Sequence, residues 1–181
     1  MPDHLTILLS VQPQHAERIF SGEKTVELRR VRPGVRPGSK VIIYVSAPES
    51  SLSGAFMVSE VYQSAPSTLW AEIGDKSGLS RAAFRRYFAG ASRAYGIGIR
   101  ESWRFVQPIS LSELRERIPG FHPPQSHSRA PQQILRLLDG NGSIRDAHEA
   151  LGSGVTSPLN CRLSSAPSSQ ATPCEKNLEE S

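Results

Sequence analysis

Lys24, Glu27 and Arg29 bring an ammonium, a carboxylate and a guanidinium into the single short run GEKTVELR. Lys24 and Arg29 suit a phosphate or the polar edge of a base. Glu27 suits a base amino group, can hold Arg29 in place, or can act as a general base on water if burial and Lys24 tune it. In an extended segment side chains alternate, which puts Thr25, Glu27 and Arg29 on one face and Val26 and Leu28 on the other. Lys24 has the parity of the packed face, yet at a helix-to-strand junction its four-carbon stem still carries the charge to a cleft. The plain alternative is a solvated strand on which Glu27 pairs with Lys24 or Arg29, a contact worth roughly 0–1 kcal/mol.

The elements around this run are signalled on both sides. Residues 5–10 are apolar enough for a buried strand, and a helix follows from about Pro13 to Ser21. Ser10 or Gln12 can cap it, Pro13 suits its first turn, and Gly22 suits the left-handed residue at its end. Ala16, Ile19 and Phe20 form its core stripe. After the motif strand, VRPGVRPGSK reads as a loop, residues 41–45 as an interior strand, and residues 52–61 as another in which Gly54 permits a bulge or close backbone approach. Pro66 breaks the sheet ahead of a short helix, STLWAEIG, with Ser67 or Thr68 as its cap. A helix from Ser80 to Gly90 turns Phe84 and Phe88 inward and Arg81, Arg85 and Arg86 outward. Residues 94–99 and 103–106 read as two last strands, where Gly96 and Gly98 either leave surface open to a flat base or mark a corner of the sheet. SLSELRERI then reads as an amphipathic helix presenting Leu111, Leu114 and Ile118.

In Gly22, Lys24, Glu27 and Arg29 the chain resembles the ASCH family, whose motif runs G-x-K-x-x-E-x-R behind a helix, and Ser10, Pro13, Ala16 and Ile19 match its entry segment. The likeness runs more loosely over residues 5–122, through AYGIGIRESW, and GFHPPQS is similar to a bacterial and archaeal subgroup. It implies an α+β fold, a small PUA-like β-barrel with flanking helices, and a cleft beside the motif that binds RNA or a modified nucleotide. It also implies two enzymatic alternatives, RNA cleavage and hydrolysis of the acetyl amide of 4-acetylcytidine. In the amidohydrolase branch a threonine nucleophile stands where this chain has Glu27, and Thr25 lies two residues, roughly 6–7 Å, along the strand. That branch also carries an acidic residue ahead of the second helix, a place taken here by Asp75 or Glu72. Lys24, Glu27 and Asp75 are therefore the catalytic candidates.

At 181 residues the chain holds one ordinary domain with a tail, expected as a domain at 1–128, a candidate helix within 129–151 around residues 132–138, and a disordered Ser/Pro-rich tail at 152–181. The tail is the candidate site for a protein partner, which supplies a third functional reading, a protein-interaction module. Lacking a signal-like or membrane-spanning apolar run, the sequence reads as a cytoplasmic protein with no membrane association. Residues 1–139 carry 18 Lys/Arg against 12 Asp/Glu, a balance of +6, whereas residues 140–181 carry 3 against 5, a balance of −2. The basic part is thus the folded part, with Arg29, Arg30, Arg32, Arg36 and Lys40 in one cluster and Arg81, Arg85, Arg86 and Arg93 in another, either a phosphate track or a solubilising surface.

Cys161 and Cys174 have no histidines at zinc spacing, so neither a metal nor another cofactor is expected. Tyr44, Tyr62, Trp70, Tyr95 and Trp103 are the rings available for base stacking, with Tyr95 favoured beside its glycines. Of the histidines, His122 is the best placed to act. The expected ligand set is Lys24, Glu27, Arg29, Arg30 and Tyr95. The leading reading is nucleic-acid or nucleotide binding.

Overall fold

The computed structural model describes residues 5–140. Six strands, β1 (Thr6–Val11), β2 (Val26–Arg29), β3 (Lys40–Val45), β4 (Ser51–Ser64), β5 (Ala94–Ser110) and β6 (His127–Arg129), form one sheet in the order β2-β5-β4-β3-β1-β6. β1 and β3 run parallel, and the other neighbours are antiparallel. The sheet curls into a half-barrel flanked by α1 (Pro13–Phe20), α2 (Pro66–Ile73), α3 (Arg81–Tyr87), α4 (Leu111–Arg117) and α5 (Gln132–Gly140).

β1 and β3 are apolar throughout because both of their faces are covered. Leu8, Ile42 and Tyr44 pack toward α4 and α5, while Ile7, Leu9, Val41 and Ile43 pack toward α1 through Ala16 and Ile19. β2 is covered differently: Val26 and Leu28 meet Leu69 and Ile73 of α2 and Phe84 of α3, leaving Glu27 and Arg29 to point into the curl. α5 buries Ile134 and Leu138 fully in the same core as Leu8 and Ile42, so the packed unit continues beyond Ser128 to Gly140. The tail expected at 152–181 lies outside the described residues.

α1 begins with Pro13 in its first turn and is followed by Gly22 at φ +81°, and Ser80 caps α3 by accepting from the Ala83 amide. Gly54 sits at a register shift, where a Cβ would come within 2.6 Å of the Phe20 ring. The two last strands expected at 94–99 and 103–106 are instead one strand of 17 residues, because Glu101 and Ser102 stay paired with Met57 and Phe56 of β4 and only Arg100 is passed over, at a register shift. Nor does either glycine leave open surface. A Cβ at Gly96 would sit 3.0 Å from Val26, and one at Gly98 would sit 3.0 Å from Glu60, so both serve close packing. α2 starts from Ala65 and Pro66 with no side-chain cap, in place of Ser67 or Thr68.

Candidate functional site

Arg29 reaches from one edge of the sheet to the other. From β2 its guanidinium donates to the Ser10 carbonyl of β1 at 3.0 Å and approaches Ser126 Oγ, just ahead of β6, at 3.5 Å. Among the described residues no backbone ladder joins β2 to β1 or β6, so a side chain spans the seam and the backbones stay apart. The space left there is a cavity of about 660 Å³, a size within the usual range for small-ligand sites.

The motif triad forms the charged wall of this cavity. Glu27 Oε1 accepts from Arg29 at 2.9 Å, and Glu27 Oε2 lies 3.3 Å from Lys24 Nζ. Lys24 Nζ also donates to the Ser77 carbonyl at 2.6 Å, which draws a residue of packed-face parity into line with the other two. All three are buried, Lys24 at 2%, Glu27 at 7% and Arg29 at 8% exposure. Two cations therefore share one carboxylate, leaving one positive charge uncompensated in a site largely removed from water. Arg29 Nε is also buried without a hydrogen-bond partner among the described residues. Holding such a charge is costly, and an anion entering the cavity would offset it.

Hydroxyl groups line the wall opposite the triad. Ser10 donates to the Pro124 carbonyl at 2.5 Å, and with Ser46, Ser126 and Tyr44 it faces the cavity. Tyr87, from the end of α3, is 38% exposed, lines the same space, and donates to the Leu28 carbonyl at 3.3 Å; burial pushes its phenol up. Ser126 Oγ is 3.2 Å from His127 Nδ1. Burial, with Arg29 acting in the same direction, pushes the His127 imidazole below its ordinary value, so it is neutral at pH 7. His15 on α1 is lowered too, first by burial and then by Lys24, with Glu27 opposing.

The residues expected from the sequence separate into two groups. Lys24, Glu27, Arg29 and Arg30 line the cavity. Arg30 at the rim donates to the Tyr87 and Ala89 carbonyls at 2.9 and 3.1 Å, which ties α3 to β2. Tyr95, opposite Arg29 in register, does not line the cavity; it faces an adjoining shallow hollow with Arg30, Val31 and Arg93. Asp75 and Glu72 are exposed and away from the cavity, because the short 3₁₀ turn Asp75–Ser77 presents main-chain carbonyls to the motif: Ser77 to Lys24, and Lys76 to the Thr25 amide. Thr25 precedes β2 and is exposed, so it offers the cavity no hydroxyl.

His122 is exposed, and the histidine beside the cavity is His127, which β6 brings to β1. Tyr87 and Ser126 were missed. Tyr87 carried a signal, lying three residues after the inward Phe84 on the same helix face, and Ser126 closes the PPQS stretch, all four residues of which line the cavity. Among the described residues no three His, Cys, Asp or Glu side chains gather to hold a metal, and no helix is long and apolar enough to cross a membrane.

The ASCH domain family model matches residues 9–115. An ASCH domain-containing ribonuclease of Zymomonas mobilis is 34% identical over 126 residues, spanning 70% of this chain and 84% of that protein. The crystal structure of ASCH from Zymomonas mobilis superposes with a TM-score of 0.70 at 31% identity, covering 76% of this chain and 96% of that one. A serine-to-alanine variant of that protein superposes equally well, with a TM-score of 0.70 and 31% identity over 77% of this chain and 98% of the other.

Proposed function

The chain belongs to the ASCH domain family, and from that premise we propose that its cavity binds RNA, taking one nucleotide unit with a phosphate against Lys24 and Arg29. The observation that carries this reading is the buried triad with its one uncompensated positive charge, aimed into a space of about 660 Å³. An anion in that space satisfies a charge the fold otherwise holds at a cost. The serine and tyrosine hydroxyls around it suit sugar hydroxyls, among them the 2′-OH that separates RNA from DNA. Tyr87 and Tyr44 supply apolar ring surface beside the polar wall.

Equilibrium binding of a labelled single-stranded RNA to the wild type and to Lys24→Ala tests the proposal. The expected result is saturable binding that the substitution weakens about ten-fold or more, since hydrogen bonds to charged groups are worth about 1.5–3 kcal/mol. Undiminished binding by the variant would sink it.

A second reading, cleavage of the bound RNA, is favoured by the name of the Zymomonas relative and by the Ser126–His127 pair. In such a reaction the ribose 2′-oxygen attacks phosphorus, the bond to the 5′-oxygen breaks, and a 2′,3′-cyclic phosphate forms. His127, neutral at pH 7, takes the 2′-OH proton through or beside Ser126, and water or a cavity hydroxyl protonates the departing 5′-oxygen. Lys24 and Arg29 stabilise the charge gathering on the phosphoryl oxygens. Both oxygens of Glu27 are engaged by cations, which makes it the residue that positions them. Cyclic-phosphate products that disappear in His127→Gln support this reading, and intact RNA after long incubation with wild type removes it.

A further inference from the structure

Outside the cavity, between α2 and α3, lies a smaller apolar notch of about 270 Å³. Trp70, Phe84 and Phe88 form its floor, and Arg81 and Arg85 stand at its edge. Whole-ligand sites usually run about 300–1,000 Å³, so this notch suits one flat ring. The half-buried Trp70 is fixed on two sides. Phe84 meets it edge-on at 5.0 Å between ring centroids, and Gly74 lies so close behind that a Cβ there would come within 2.6 Å of the indole.

Two observations tie the notch to a chain that also occupies the cavity. Trp70, Phe84, Phe88 and Tyr87 form an unbroken series of ring contacts at 5.0, 4.7 and 4.8 Å, beginning in the notch and ending at the cavity wall. Arg81 and Tyr87 are six residues apart on α3, about 9 Å along its axis, a span of one or two nucleotides. The exposed guanidinium groups of Arg81 and Arg85 have no hydrogen-bond or ion-pair partner among the described residues, and α3 carries no acidic side chain.

Building on the RNA reading of the cavity, we propose that this notch is a second base-binding subsite, in which a nucleotide flanking the one in the cavity stacks on Trp70 while Arg81 and Arg85 hold its phosphates. Neither charge nor aromatic surface alone would select single-stranded RNA, but a ring-sized apolar slot edged by unpaired cations selects a base attached to a phosphate. Stacking of this kind tolerates any base, so the subsite adds affinity and sets how many nucleotides are engaged, with little sequence preference.

The test uses the full chain and short single-stranded RNAs in which one nucleotide at a time is made abasic, keeping the phosphates and removing the ring. In the wild type one flanking abasic position is expected to cost about ten-fold in affinity. In Trp70→Ala the intact RNA should lose the same factor, and that abasic position should then cost nothing further. Since Trp70 also packs on Phe84, the exposed Arg81→Ala/Arg85→Ala pair serves as a second probe, expected to weaken RNA of several nucleotides while leaving a single nucleoside phosphate unaffected.

Abasic penalties that persist unchanged in Trp70→Ala, or an Arg81/Arg85 pair that binds as wild type does, overturn the subsite. Competition by poly-glutamate equal to that of RNA assigns the notch to acidic protein chains and likewise overturns it. If Lys24→Ala weakens binding and the notch variants do not, the cavity reading stands alone; if wild type binds no RNA, both fall.

Discussion

The chain carries its positive charge in two ways. In the cavity, Lys24 and Arg29 are buried, each within ion-pair distance of Glu27 and further bonded to main-chain carbonyls. On the outer face of α3, Arg81 and Arg85 stand in solvent with no such partners among the described residues. The first arrangement spends folding stability to hold charge at fixed positions, and the second costs the fold almost nothing but leaves the side chains to be ordered by whatever binds. Formal charge is blind to this difference, whereas variants at the two places should separate it sharply.

The largest effect is expected at Glu27, whose replacement raises the net charge. By charge alone Glu27→Gln should bind a polyanion more tightly. In the structure it leaves two buried cations facing each other, and removing one partner of a buried ion pair costs about 3–5 kcal/mol. The variant should unfold at markedly lower urea concentration and bind RNA more weakly, because Lys24 and Arg29 lose the group that holds them. Denaturant titration alongside anisotropy reads both. Tighter binding with unchanged stability would show that the triad is no more than surface charge.

Much of this contrast is legible from local sequence, and the reasons are physical. Proline at the start of α1, Gly22 after its end and strict alternation through β2 are contained within a few residues of the motif, so the convergence of Glu27 and Arg29 follows from spacing. The opposite wall does not. Ser10 and Pro124 are 114 residues apart and meet because a strand of only three residues, β6, pairs with β1. Nothing in a three-residue polar segment announces a strand. Asp75 was misplaced for a related reason: its position near the motif was right, but a 3₁₀ turn presents carbonyls inward and leaves its side chain outside. The aromatic series from Trp70 to Tyr87 was legible in part, since Phe84 and Phe88 have helical spacing, but Trp70 joins them only through the packing of α2 on α3.

An intermediate effect is expected on α3. Arg81→Ala/Arg85→Ala should leave the unfolding midpoint within experimental error, because exposed side chains away from packed features change stability by about 0.5 kcal/mol at most. Its signature is the salt dependence of RNA binding. If both arginines contact phosphates, the slope of log affinity against log salt should become shallower by about 1.4 for a single strand. Glu27→Gln and the arginine pair thus form a crossed test, one changing stability strongly and the other changing RNA affinity and its salt slope with stability unchanged. A stability loss in the arginine pair, or an unaltered slope, would erase the distinction between the two kinds of charge.

The smallest effect concerns protons and sharpens the comparison from the buried side. His15 packs near the triad with Nδ1 unpartnered among the described residues, and burial together with Lys24 holds its pKa below the ordinary 6.5. In the unfolded chain it titrates near that ordinary value, so between the two pKa values the unfolded state binds the proton more readily. Stability from this group is therefore complete above about pH 6.5 and declines as the pH falls through the folded-state pKa, below which it contributes no further loss. His127 has the same sign. The thermal midpoint of the wild type should drop on acidification from pH 7 to pH 5, and His15→Gln should flatten part of that drop because no third cation can then form beside Lys24 and Arg29. The arginine pair on α3, remote from any such constraint, should retain the full wild-type pH dependence. A His15→Gln curve that runs parallel to wild type would mean that the imidazole is already hydrated and that the site holds its charge under less constraint than its burial implies.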